Sequence, residues 1–144
     1  MFLKILIPVD LADRHEPSLE VAARLATPSV GEVRVLHVIE LLRDLPREAD
    51  PKFYQRLEDK SRAQLDVLTA HLKDKGVSAR PVVVFGDRVR EVLRYATEEA
   101  VDLIVLTSHP VEPDEPGAGL ATMSYLVGIA ARCPVMLVKG KPGP

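Results

Sequence analysis

Along the chain, short apolar runs alternate with longer stretches whose apolar residues recur every three or four positions. Leu3 to Val9 ("LKILIPV") is apolar with little alternation, the pattern of a strand covered on both faces. After "DLADRHE", Pro17 suits the first turn of a helix, and Leu19, Ala22, Ala23 and Ala26 recur at helical spacing until Pro28 and Gly31 stop it. "EVRVLHVIE" (32–40) is β-branched and apolar, a second buried strand. From Asp50 to Lys75 a long amphipathic helix places Tyr54, Leu57, Leu65, Leu68 and Leu72 on one face, with Ser61 in the gap, and ends at Gly76. The connector 41–49 carries no regular signal.

"ARPVVVFG" (79–86) is a third strand, with Pro81 near its start, where a missing donor is tolerated. Val89, Val92, Leu93 and Ala96 mark the next helix, which Asp87 is placed to cap. "DLIVLTS" is a fourth strand, "LATMSYLVGIAAR" a fourth helix and "PVMLVKG" a fifth strand. Strict β-α alternation forces a parallel sheet with right-handed crossovers, so the expected architecture is a doubly wound α/β sandwich, one domain over 1–144. Ligands in such sheets bind beyond the carboxyl ends of the strands, where the strand order reverses. Four segments reach that edge: Asp10 to Glu16, the residues after His37, Gly86 to Arg88, and 107–122.

Composition narrows the function classes. Length, 144 residues, allows one domain, and 47% hydrophobic against 28% charged residues is the balance of a globular protein rather than a disordered one. A net charge of −2 without a basic stripe argues against a nucleic-acid partner. Apolar stretches such as "LIVL" (103–106) fall far short of the roughly 20 residues that span a bilayer, and the N-terminus lacks the basic region and cleavage site of a signal peptide. The single cysteine, Cys133, forms no intramolecular disulfide and reads as a small buried hydrophobe; the expected compartment is the cytoplasm. His37 lies within a strand and reads as a satisfied histidine, while His15, His71 and His109 fall on unlike elements without metal spacing. No nucleophile–base pairing is suggested by the order of elements, and nothing nominates an enzyme.

Four strings, in this order and at these separations, resemble the universal stress protein family: "KILIPVD", "VLHVIE", "FGDRVREVLRYATEEAVDLIVLTSH" and "ARCPVMLVK". The resemblance implies a five-stranded parallel sheet in the order 3-2-1-4-5, a Rossmann-like sandwich of the adenine nucleotide alpha hydrolase type. It also implies a homodimer through the last strand, Pro134–Gly140, whose unpaired edge needs a cover in any case. Lys139 and Lys141 are the alternative, guarding that edge in a monomer. Some members bind ATP or AMP and others do not. In those that do, an aspartate ending the first strand, here Asp10, approaches the adenosine, and backbone at the end of the second strand, here Val38, meets the base.

The family's phosphate loop reads glycine, two residues, glycine, nine residues, glycine, then serine or threonine. Here Thr107 and Pro110 stand on the first two glycines, Ala121 on the last, and Thr122 on the hydroxyl, with one residue too many between Pro110 and Ala121. Pro110, Pro113 and Pro116 each remove an amide donor, and Glu112, Asp114 and Glu115 add charge that repels phosphate. A carboxylate 4 Å from a phosphate charge costs on the order of 1 kcal/mol in water and several times that where solvent is thin. Gly117, Gly119 and Thr122 pull the other way, since they lie where free N–H groups at a helix start favour an anion. The expectation is a non-enzymatic regulatory module with weak or altered binding of an adenine nucleotide or anion. The alternative is a member that hydrolyses ATP slowly, with the acidic cluster 112–115 near the phosphates. A phosphorelay receiver domain, which would use Asp10, Asp13, Asp87, Thr107 and Lys139 or Lys141, fails because no fifth helix follows the last strand and the second helix is too long for that fold.

Overall fold

The computed structural model describes residues 1–12, 14–108 and 122–140. Strands and helices alternate as β1 (Lys4–Pro8), α1 (Glu16–Leu25), β2 (Glu32–Ile39), α2 (Pro51–Asp74), β3 (Ser78–Phe85), α3 (Arg88–Glu98), β4 (Leu103–Ser108), α4 (Met123–Ala130) and β5 (Val135–Lys139). Every strand pair is parallel and the sheet order is β3-β2-β1-β4-β5. The order reverses between β1 and its neighbours β2 and β4, so the switch point lies at the carboxyl end of β1.

Alternation along each strand divides the core in two. Ile5, Ile7, Val33, Val35, Leu103 and Val105 pack with Leu19 and Ala22 of α1 and Leu65 and Leu72 of α2. Leu6, Leu36, Val38, Ile104 and Leu106 pack on the other face with Val92 and Ala96 of α3 and Val127 of α4. The register sets Ile7 opposite Val35 and Ile5 opposite Leu103, and a one-residue slip would turn each of these to the wrong face. Both faces of β1, β2 and β4 are buried over most of their length, which is why these strands read as continuous apolar runs.

Helix ends follow local chemistry. Asp50 and Asp87 cap α2 and α3 by accepting from Phe53 N and Arg90 N. Gly76, at φ 81°, lets the chain reverse after α2: Gly76 N donates to Lys73 O and Val77 N to Leu72 O, the paired bonds of a Schellman stop. The connector 41–50 is held by α2, where the buried Tyr54 hydroxyl accepts from Leu42 N at 3.0 Å and donates to Leu45 O. Helix α4 departs from the sequence expectation. It ends at Ala130, with Ala131 extended, rather than running to Arg132; Pro134 follows within three residues of the cap, as is common past a helix end.

At the amino end of the sheet, Arg34 points from β2 toward α3 and is 5% exposed. Its guanidinium donates to the Tyr95 hydroxyl at 2.7 Å, to Glu99 at 3.0 Å and to Glu32 at 2.6 Å. Burial pulls Arg34 toward the neutral form, but these bonds outweigh it and leave the guanidinium held more firmly protonated than usual.

Candidate functional site

At the carboxyl edge, beyond the switch point, a cleft of about 300 Å³ opens among the described residues. That is at the small end of the range for ligand sites. Its floor is apolar, from Leu36 and Val38 of β2, Val92 of α3 and Leu106 of β4. Asp10, His15, Thr107, Thr122 and Arg88 are among its polar groups, with Ser108 and Ser124. A larger cavity of about 600 Å³ lies at the opposite edge, between α3 and the end of α4, lined by Ala96, Ala100, Ala131 and Cys133. Burial pushes the Cys133 thiol up, the reverse of what a reactive thiol needs, so the carboxyl-edge cleft is the chemical candidate.

Asp10 follows the last residues of β1 and spends one carboxylate oxygen on its own loop, accepting from Ala12 N at 2.9 Å. The backbone on either side is held by two histidines. His37 Nδ1 donates to Val9 O at 2.9 Å and His15 Nε2 donates to Asp10 O at 2.7 Å. A carbonyl only accepts, so each of those ring nitrogens carries a proton. In the neutral ring, His15 Nδ1 is then an acceptor, and the hydroxyl of Thr107 donates to it at 2.7 Å. Thr107 in turn accepts from Ser18 at 2.6 Å. The relay runs from α1 through β4 to the end of β1, and both His15 (5% exposed) and Ser18 are buried.

His15 also occupies the position preceding α1, yet makes no capping bond there, because both ring nitrogens are engaged in the relay. Thr122 caps α4 instead of lying in its first turn, its hydroxyl accepting from Tyr125 N at 3.2 Å. On the far wall, Arg88 opens α3 and pairs with Glu40 at 3.2 Å.

Of the sequence-derived site residues, Asp10, Val38 and Thr122 line this one cleft, whereas Gly117 and Gly119 lie outside the described residues. His15, Ser18 and Arg88 were not singled out as site residues. His15 was set aside for lack of metal spacing, and nothing local marks a residue on α1 as the partner of one on β4. The signals the sequence did carry were Thr107 standing where the loop pattern has glycine, and the placing of Asp10 to Glu16 and Gly86 to Arg88, which contain His15 and Arg88, at this edge. Among the described residues no group of three or more His, Cys, Asp or Glu is placed to hold a metal, and no helix is long and apolar enough to cross a membrane.

A sequence profile described as the universal stress protein family matches residues 1–139. A universal stress protein of Bacillus subtilis is 25% identical over 96% of this chain and all of its own length. Another, from Methanocaldococcus jannaschii, is 25% identical over 76% of this chain. The solved structure of that protein superposes with a TM-score of 0.81 at 26% identity, covering 99% of each chain. More distant likenesses in fold include an Arabidopsis thaliana protein of the family with AMP bound, at TM-score 0.69 and 20% identity over 96% of this chain and 92% of that one. An Archaeoglobus fulgidus universal stress protein in complex with dAMP superposes at TM-score 0.66 and 19% identity, over 96% and 98%.

Proposed function

Because the chain belongs to the universal stress protein family, we propose that it is a dimeric, non-enzymatic regulatory module whose carboxyl-edge cleft takes an adenine nucleotide or related anion with weakened affinity. The observation that carries this is the convergence of Asp10, Val38 and Thr122 on one cleft at the switch point of the sheet. Asp10 is placed to accept from ribose hydroxyls, the end of β2 to meet the base, and the start of α4 to turn first-turn N–H groups toward phosphate. Relatives in fold that hold AMP, cAMP and dAMP support the nucleotide class.

Weakened affinity follows from the chemistry of 107–122. Thr107 and Pro110 replace the glycines whose amides would approach the phosphates, and three carboxylates enter the same segment. Loss falls on the phosphate end, so a nucleoside monophosphate suffers less than a triphosphate.

Dimerisation rests on β5, an edge strand with Met136 and Leu137 exposed, beside α4 with Tyr125, Leu126 and Ile129 exposed. Five large apolar side chains on two adjoining elements are better covered than left in water.

Native purification followed by denaturation and mass spectrometry of the supernatant tests the nucleotide reading. AMP or another monophosphate at substoichiometric level is expected. Stoichiometric ATP would refute the weakened phosphate end, and absence of binding to AMP, ATP and cAMP in calorimetry would refute the site.

A further inference from the structure

We propose that the cavity of about 600 Å³ between α3 and the end of α4 is a second binding site, which takes a medium-chain carboxylate with its apolar tail in the cavity and its head group on Arg132. The inference goes beyond the nucleotide reading and does not depend on it. Leu93 and Ala96 of α3, Ala100 and Val101 after it, and Ala131 and Cys133 between α4 and β5 give the cavity its carbon walls. Ala96 and Val101 are buried there and Cys133 is half-buried. A concave, mostly apolar site of this volume lies within the range that encloses a small ligand, whereas the carboxyl-edge cleft, at about 300 Å³, stands at its lower limit.

Charge at the rim selects the head group. Arg94, Glu98 and Arg132 are the charged residues of the lining. Arg94 pairs with Glu98 at 3.3 Å and also with Glu91, so its charge is met within α3. Arg132 makes no hydrogen bond or ion pair among the described residues, which leaves it the unmatched cation of the cavity. Standing just past Ala130, it suits the negative end of the α4 dipole, but that leaves its N–H donors to solvent. A carboxylate presents two acceptors that match the planar guanidinium fork. Asp102, whose charge reaches Cys133, is itself satisfied by Leu3 N at 2.9 Å and Lys4 N at 3.0 Å, and Glu98 is taken by Arg94, so a cationic head group finds no unmatched partner in the lining.

The test offers the full chain decanoate, decanol and decyltrimethylammonium, each below its micelle concentration. Binding is read by calorimetry and by the rate at which a thiol reagent modifies Cys133, the single cysteine. Arg132→Gln and Ala130→Phe accompany wild type, the second filling the cavity from an exposed position, with circular dichroism confirming that each is folded. Decanoate is expected to bind and to slow the modification of Cys133, and decyltrimethylammonium to do neither. Arg132→Gln lowers decanoate affinity about fivefold, the scale of one solvent-screened ion pair, and leaves decanol unchanged. Ala130→Phe abolishes the binding of both, and excess AMP displaces neither. No binding of decanoate, equal binding of decyltrimethylammonium or a decanoate affinity unchanged in Arg132→Gln overturns the inference. Displacement by AMP overturns it too, since decanoate would then sit in the carboxyl-edge cleft. So does a Cys133 that is slow to react without ligand and quickens in Leu137→Lys, which would make a second copy of the chain the occupant. Failure of AMP to bind touches only the nucleotide reading.

Discussion

The hydroxyl of Thr107, at the end of β4, donates to Nδ1 of His15 at 2.7 Å across ninety-two residues of sequence. Thr107 stands where the family's loop pattern has a glycine, and its side chain is drawn into a bond with His15 and Ser18 rather than left loose over the cleft. The same histidine holds Asp10 O, so the residue that replaces a phosphate-loop glycine is tied to the candidate ribose-binding aspartate.

Replacing His15 with alanine removes the hydrogen bonds to Asp10 O and Thr107 Oγ1 at the buried His15 position, while the bond between Ser18 and Thr107 stays. A loss of about 2 kcal/mol or more is expected in urea denaturation. Nucleotide affinity should fall with it, because Asp10 loses its brace. Nitrogen NMR of the wild-type ring should show the proton on Nε2 at neutral pH, and a proton on Nδ1 instead would contradict the relay.

Tyr54 is 2% exposed, and its hydroxyl is the polar tie between α2 and the connector 41–50. Tyr54→Phe keeps the ring and its edge-on contact with Phe85 but orphans Leu42 N and Leu45 O. The expected cost is about 1–2 kcal/mol, with faster amide exchange confined to the connector. Unchanged exchange there would show that Arg47, stacked over Phe85 at 3.9 Å, is the stronger tie.

Glu99 is held below the usual carboxylate range, first by the hydrogen bond from Arg34 and then by its charge and that of Lys4. A depressed carboxylate stabilises the fold above its unfolded pKa, near 4.5, and that contribution disappears as pH falls through the lower folded value. Glu99→Gln should therefore lower the melting temperature at pH 7, with the gap to wild type closing as the pH drops below 4.5. A gap that persists at pH 3 would mean that the side chain acts through packing rather than charge.

The wild-type chain is expected to sediment as a dimer, and Leu137→Lys, which puts a charge on the exposed face of β5, as a monomer with an unchanged circular dichroism spectrum. A wild-type monomer would leave Lys139 as the guard of that edge.

Much of the fold was readable because it is encoded by short-range rules. Apolar runs of strand length separated by stretches of helical period admit few topologies once both faces of each strand must be buried, and Asp87 and Gly76 mark ends that depend only on neighbouring residues. Sequence alone also placed Asp10, Val38 and Thr122 at one edge, since β-α alternation sends those loops the same way. The apolar pattern runs past the carboxyl end of α4, which stops at Ala130, three residues short of Cys133, which Pro134 follows.

What the chain did not disclose by itself are the contacts that close the site: His15 with Thr107, His37 with Val9, and Arg88 with Glu40 beside the cleft. Helical and strand periods are local properties of a chain, and they carry no information on which side chain of α1 faces which strand. That pairing is decided when α1 docks on the sheet, its apolar face sets its rotation, and buried polar atoms must find partners within hydrogen-bonding distance. Sequence thus determined the layers and the edge where the candidate cleft lies; the packing of those layers decided which residues hold Asp10 and which side chains line that cleft.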